Sequence, residues 1–382
     1  MQYIRKATLI TPTEVIPNGT LLMDGGKILA LGPDHSISIP EGAKVLVAEG
    51  QILAPGLVEL QINGGFGQDF TEKPETLWQV AASLPRYGVT SFLPTVITSP
   101  LSTISKALEI WKAGPPAGFQ GAQPLGYHLE GPMLNPGKKG AHNPAYILPP
   151  SLEVIEDWSP ENGVRLVTMA PEMPGALDVI RELRKRGVVV SAGHSLASYD
   201  EAVRAFEAGI TKGTHLFNAQ PPLDHRQPGL SAALLTDRRV SVGLIADGIH
   251  VHPAMIDLAW RMKGPRGVVL VTDAMAALGM PPGNYHLGDY DVIVDAASAR
   301  LLNGTLAGSI LTHDTAVRNL TNYTGCSLAE ALAAASLNPA NLIGLESKGR
   351  LEPGADADLI LLNPGGQVMS TLVAGEIVYL KG

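Results

Sequence analysis

Five short strings carry metal-binding or proton-carrying side chains at the ends of β-favouring runs. They are Tyr127-His128-Leu129-Glu130-Gly131-Pro132, Ala192-Gly193-His194-Ser195, Thr214-His215-Leu216-Phe217-Asn218, Asp247-Gly248-Ile249-His250 and Thr272-Asp273-Ala274. Two imidazoles and a carboxylate suffice to hold a divalent metal while leaving a coordination position for water, and Glu130, His194 and His215 are that set. They lie 64 and 21 residues apart, too far for a finger or a binding loop, so only a fold can gather them. For any one of these histidines the competing reading is a hydrogen-bonded structural residue. Asp273 fits a general base that takes a proton from water and returns it to a leaving group. Its competing reading is the N-cap of a helix following Ala274.

These tips need a scaffold that delivers strand ends to one face. Eight β-rich runs supply it: Leu57–Gln61, Thr90–Leu93, Pro124–Leu129, Val164–Met169, Val188–Ala192, Thr211–Leu216, Val240–Ala246 and Gly267–Thr272. Helix signals lie between and after them. Leu101, Ile104, Leu108 and Trp111 form a helical stripe. Ser198 with Glu201 and Ser327 with Glu330 are capping boxes, closed later by Gly209 and by Asn338-Pro339. Leu177 to Arg186 ends in basic residues and Gly187, as a helix C-terminus does. Eight β/α units predict a closed parallel (β/α)8 TIM-like barrel, in which chemistry sits where strands end. An open doubly wound sheet is the alternative, and no GxGxxG follows an early strand to favour it.

Both termini read differently, as strands and turns. Tyr3–Ile10, Thr20–Met23, Lys27–Leu31 and Lys44–Ala48 at one end, with Asp24-Gly25-Gly26 as a hairpin turn, match Asp358–Leu362, Val368–Val373 and Ile377–Leu380 at the other. Neither set is stable alone. The expected organisation is a discontinuous β-sandwich domain from residues 1–54 and 348–382, with a metal-dependent barrel over 55–347.

The 382 residues are 45% hydrophobic and 17% charged, which excludes disorder for the bulk of the chain. The net charge of -8 and the lack of any basic run longer than Arg184-Lys185-Arg186 argue against nucleic acid as a partner. Cys326 is the only cysteine, so no intrachain disulfide forms, and it reads as a small buried filler. With no apolar leader at Met1–Thr11 and no stretch long enough to span a membrane, a cytoplasmic location is expected.

The strings His128–Pro132, Gly193–Ser195, Thr214–Ala219, Asp247–His250 and Val271–Ala274 together resemble the N-acetylglucosamine-6-phosphate deacetylases of the amidohydrolase superfamily, in the family's order and over about Pro55 to Pro339. The resemblance implies hydrolysis of the acetamide of N-acetylglucosamine 6-phosphate to glucosamine 6-phosphate and acetate. It maps one divalent ion per subunit, zinc first with iron, cobalt or manganese as alternatives, onto Glu130, His194 and His215. It maps the catalytic acid/base onto Asp273 and a carbonyl-polarising histidine onto His142. Ala141 and His142 correspond to substrate-binding positions, Asn218, Ala219, Arg226 and His250 to positions that hold the sugar phosphate, and Leu306, Ala307, Gly308 and Ser309 to a further substrate-lining loop. It also implies a homodimer in which Arg226 can reach the neighbouring subunit's site.

One departure stands out. Amidohydrolases often carry a His-x-His pair on the first strand for a second metal, whereas here Gln61 and Asn63 replace both. Neutral amides are poor ligands for a transition metal, so a single metal is expected. By type alone, Arg226 reads as a surface residue of the loop Pro221–Pro228, and only the resemblance assigns it to the substrate. His128 and His252 read as packing or supporting residues, and His35, His225, His286 and His313 fit no pattern. The rival substrates are N-acetylgalactosamine 6-phosphate or a cyclic amide, and the rival class is an inactive scaffold.

Overall fold

The computed structural model describes residues 1–382. Its larger part is the parallel barrel. Strands β1 (Leu57–Ile62), β2 (Val89–Ile97), β3 (Tyr127–Glu130), β4 (Val164–Met169), β5 (Val189–Ala192), β6 (Lys212–Gly213), β7 (Ser241–Leu244) and β8 (Val268–Leu270) pair in sequence order, each with the next. Backbone bonds close the ring between its last and first strands: Asp273 N donates to Gln61 O at 2.8 Å and Asn63 N to Ala274 O at 2.7 Å. β1 and β2 are buried at every position, because a parallel strand with helices outside and packed side chains inside has no wet face.

The connecting helices obey their sequence signals. The stripe at Leu101 becomes the helix Leu101–Ala113. Both capping boxes form, with Ser198 N donating to Glu201 Oε2 at 2.9 Å and Ser327 N to Glu330 Oε2 at 2.8 Å. Gly209 ends the first of these helices. Asn338-Pro339 does not end the second. That helix stops at Ala335, and Asn338 and Pro339 lie inside a new helix, Leu337–Leu342, whose first turn accommodates a proline because its N–H would be unpaired there. No helix is long and apolar enough to cross a membrane.

The two ends of the chain meet in one mixed eight-stranded sheet. Gln2–Ile10 runs between Val15–Asp24 on one side and both Lys44–Val47 and Ile52–Pro55 on the other; Ile52–Pro55 then pairs antiparallel with Leu359–Leu362. Gly25 and Gly26, at φ 55° and 77°, make the tight turn expected before Lys27. The sheet encloses its own apolar cluster, which draws Leu9, Leu21 and Leu53 from the N-terminal segment and Leu359, Leu361 and Leu372 from the C-terminal one.

Between β8 and the helix His313–Thr324 the chain inserts a three-stranded antiparallel sheet, Gly283–Leu287, Tyr290–Val294 and Ala299–Leu301. Its inner residues Leu287, Val292 and Val294 pack with Ala141, Met275 and Ala307 at the barrel mouth.

Candidate active site

At the C-terminal end of the barrel a cavity of about 330 Å³ opens. Its wall includes Glu130 from the end of β3, His194 after β5, His215 after β6, His250 after β7 and Asp273 after β8, together with His142 from the loop after β3. Several of these tips are held in backbone conformations that L residues seldom adopt: φ is 49° at His194, 27° at His215 and 50° at Asp273. Such strain concentrates at functional sites.

Glu130, His194 and His215 converge on one point. His194 Nε2 and His215 Nε2 each lie 3.0 Å from Glu130 Oε1 and 3.1 Å from each other. The proton of His194 is committed to Nδ1, which donates to Lys138 O at 2.8 Å, so its Nε2 presents a lone pair. Burial alone would raise the pKa of Glu130, yet the two imidazoles hold its carboxyl well below the usual range. Three buried donor atoms packed this closely, at least two of them lone pairs, suit a cation between them, and the set fits a divalent metal.

Asp273 sits beside this cluster. Burial, and after it the charge of Glu130, push its pKa up to about 6. Asn63 Nδ2 donates to Asp273 Oδ1 at 2.8 Å, and Gln61 Nε2 lies 3.3 Å from both Asp273 Oδ1 and Glu130 Oε2. The two amides therefore turn their N–H groups toward carboxylates, where a metal-binding residue would present a lone pair. The helix-cap alternative for Asp273 fails, since no helix begins at Ala274.

His142 is a largely buried part of the cavity wall. Thr98 N donates to its Nδ1 at 3.3 Å, and a nitrogen that accepts from an N–H carries no proton, so the proton lies on Nε2. Burial and the neighbouring His194 hold its pKa well below the ordinary value, which keeps the ring neutral and a donor. His250 Nδ1 lies 2.6 Å from Asp247 Oδ2, while Asp247 Oδ1 accepts from the backbone of Ile249 and His250. That one carboxylate fixes both the loop and the ring.

Other residues singled out by sequence fall as follows. Ala141, Asn218, Ala219, Leu306 and Gly308 line the cavity. Ala307 packs in the apolar cluster beside it, and Ser309 turns inward, donating from Oγ to Thr272 O at 2.6 Å. Arg226 does not reach this cavity; it is exposed on the loop after β6. His128 is buried within the barrel, 3.2 Å from Thr95 Oγ1 and 2.7 Å from Thr168 Oγ1. His252 is not a packing residue but an exposed helix N-cap that accepts from Ala254 N. The sequence reading passed over Lys138, the single lysine or arginine on the cavity wall, and Leu287 and Thr305 of the inserted sheet and its return loop. Lys138 follows Gly137 in a polar loop with no periodic signal, and only the fold of that loop against His194 brings it to the wall.

The amidohydrolase family matches residues 52–378. A curated N-acetylglucosamine-6-phosphate deacetylase from Bos taurus is 44% identical over 348 residues, 86% of this chain and 84% of its own length. A curated N-acetylgalactosamine-6-phosphate deacetylase from Escherichia coli O157:H7 is 38% identical over 357 residues, 90% of this chain and 94% of its own. A solved structure of a mutant N-acetyl-D-glucosamine-6-phosphate deacetylase from Mycobacterium smegmatis, in complex with N-acetyl-D-glucosamine-6-phosphate, superposes with a TM-score of 0.90 at 34% identity, covering 99% of each chain. The match spans barrel and terminal sheet alike, and the chain belongs to the amidohydrolase family.

Proposed function

We propose that the protein hydrolyses the acetamide of N-acetyl-D-glucosamine 6-phosphate to D-glucosamine 6-phosphate and acetate. The observation that carries this is the meeting of a Glu130/His194/His215 donor set, a buried Asp273 and a neutral His142 in one cavity of hexosamine size. A single divalent ion, zinc by its nitrogen-rich donor set, would be held by that triad and would supply Lewis acidity toward water and the amide carbonyl.

The residues themselves divide the remaining work. His142 Nε2–H donates to the carbonyl oxygen as it gains charge, an interaction already oriented before reaction. Asp273, held as a carboxylate by the amides of Asn63 and Gln61, takes a proton from the attacking water. It returns that proton to the nitrogen as the C–N bond breaks, so the amine leaves neutral and the new C–O bond completes acetic acid, which releases its remaining proton to give acetate. His250, aligned by Asp247, and Lys138 offer positive or donor groups for the sugar phosphate within one chain. Arg226, exposed and outside its own cavity, fits a role across the interface of a homodimer. The same reading divides the chain at 1–54 with 348–382 against 55–347, supported by the separate apolar core of the terminal sheet. It places the protein in the cytoplasm, where a lone buried Cys326 is at home.

A second reading, deacetylation of N-acetylgalactosamine 6-phosphate, is favoured by the similarity to the Escherichia coli protein of that name. Acetate release from the two 6-phosphates and from unphosphorylated N-acetylglucosamine tests both. The proposal expects the gluco 6-phosphate to give the highest kcat/KM. Higher kcat/KM for the galacto epimer replaces it with the second reading, and no acetate from any substrate in metal-loaded protein would sink the deacetylase altogether.

A further inference from the structure

The carboxylate of Glu59 is fully buried inside the barrel, off the cavity wall. Its Oε1 accepts from Gln61 N at 2.8 Å, and its Oε2 accepts from Thr272 N at 2.9 Å and from His313 Nδ1 at 2.7 Å. One side chain thus ties β1, the tip of β8 and the helix His313–Thr324 at the point where the barrel closes. The same point carries the Asp273 N to Gln61 O bond. Ser309 clasps the turn from the other side, donating from N to Asp273 O and from Oγ to Thr272 O.

A buried charged group is a poor stabiliser, since apolar side chains of the same volume often serve the fold as well or better. What Glu59 provides that an apolar residue could not is a pair of directed, charge-assisted acceptors on two specific backbone N–H groups. Those groups belong to Gln61, whose side chain lies against Asp273, and to Thr272, the residue before it. Asp273 itself has φ 50°, a conformation that persists only where its surroundings over-determine it. We infer that Glu59, anchored by His313, is a positioning residue for Asp273: it holds the left-handed turn that carries the Asp273 carboxylate to the cavity, and turnover depends on it although it touches no substrate.

This rests on the proton-carrying role of Asp273 set out under the proposed function, and the test separates the two. Glu59→Gln and His313→Gln are prepared as metal-loaded enzyme, each in the wild-type and in the Asp273→Asn background, with metal content, kcat and KM recorded. A displaced catalytic group costs on the order of a hundredfold. The expected result is a loss of roughly 10- to 100-fold in kcat for Glu59→Gln, with KM within about threefold and the metal retained. In the Asp273→Asn background the same change is expected to cost less than about twofold, because residues that act through one group are not additive. If Glu59→Gln does not fold, His313→Gln, which leaves the carboxylate in place and removes its anchor, is read by the same two criteria. Equal losses in both backgrounds, or unchanged kcat beside a crippled Asp273→Asn enzyme, overturn this inference alone. Full turnover in Asp273→Asn overturns the role of Asp273 and this inference with it.

Discussion

His194 Nε2 and His215 Nε2 stand 3.1 Å apart, both rings buried, and the proton of His194 is spent on the carbonyl of Lys138. Two imidazole nitrogens at that distance, with Glu130 Oε1 3.0 Å from each, are bridged either by a proton or by a cation, and the donor set suits a divalent one. The protein purified without added metal is therefore expected to hold one equivalent of divalent ion per chain. A chelator should abolish acetate release and lower the thermal midpoint, and one equivalent added back should restore both. A ligand present at a thousand times its Kd adds about 4 kcal/mol to stability, so the shift is large enough to read by calorimetry. Two equivalents per chain would contradict the reading of Gln61 and Asn63 as amide donors in place of a second metal site.

Removing the charge of Asp273 without its shape tests the proton path. Asp273→Asn should lower turnover by roughly 10²–10⁴-fold, the range of general acid–base catalysis, while metal content stays at one equivalent. Elemental analysis beside steady-state acetate release reads both quantities. Near-normal turnover would remove Asp273 from the mechanism.

The exposed position of Arg226 makes a prediction about pairs of subunits. Arg226→Ala should raise KM for the phosphorylated sugar far more than for the unphosphorylated one. Mixing Arg226→Ala with Asp273→Asn chains and allowing them to exchange should regenerate one intact site per hybrid dimer, with KM returning to the wild-type value. If Arg226 served its own chain's cavity, mixing would restore nothing.

Asp69 gives a pH signature of stability. Its Oδ1 accepts from Thr71 N and Glu72 N in the turn that follows it, and burial raises its pKa from the ordinary 3.8 to about 6. The folded protein keeps this proton up to about pH 6, whereas the unfolded chain releases it near 3.8. Stability from the neutral form is full below pH 3.8 and is lost as the pH rises through 6. Relative to Asp69→Asn, the wild type should therefore gain up to about 3 kcal/mol between pH 7 and pH 4, on the scale of 1.36 kcal/mol per pKa unit. Urea unfolding of the two proteins across that range measures the difference, and a pH-independent gap would show that Asp69 stays ionised.

Local signals made much of this architecture legible. All eight barrel runs form strands, because apolar β-branched stretches bounded by polar tips have few other stable fates. The capping boxes at Ser198 and Ser327 and the Gly25-Gly26 turn form where local chemistry required them. Asn338-Pro339 misled because a proline marks a helix start as readily as a stop. The inserted sheet escaped notice although Tyr290–Val294 alternates along the chain, since its strands interrupt a β/α rhythm that seemed complete at β8. The contact between Glu59 and His313 spans 254 residues and leaves no local trace. His313 thus fitted no pattern, and its meaning lay wholly in the three-dimensional path of the chain.

The pairing of Ile52–Pro55 with Leu359–Leu362 has a consequence for biosynthesis. A nascent chain that has already emitted every barrel strand still has bare edges on its first fifty-five residues, because the strands that cover them are translated last. Leu9, Leu21 and Leu53 complete their apolar cluster only when Leu359, Leu361 and Leu372 have left the ribosome. The terminal sheet is thus completed only after the barrel strands have been made, and a chain truncated before Leu359 would lose Ile360, Leu362 and Val368 from the barrel's own core as well as leaving the Ile52–Pro55 edge unpaired and aggregation-prone.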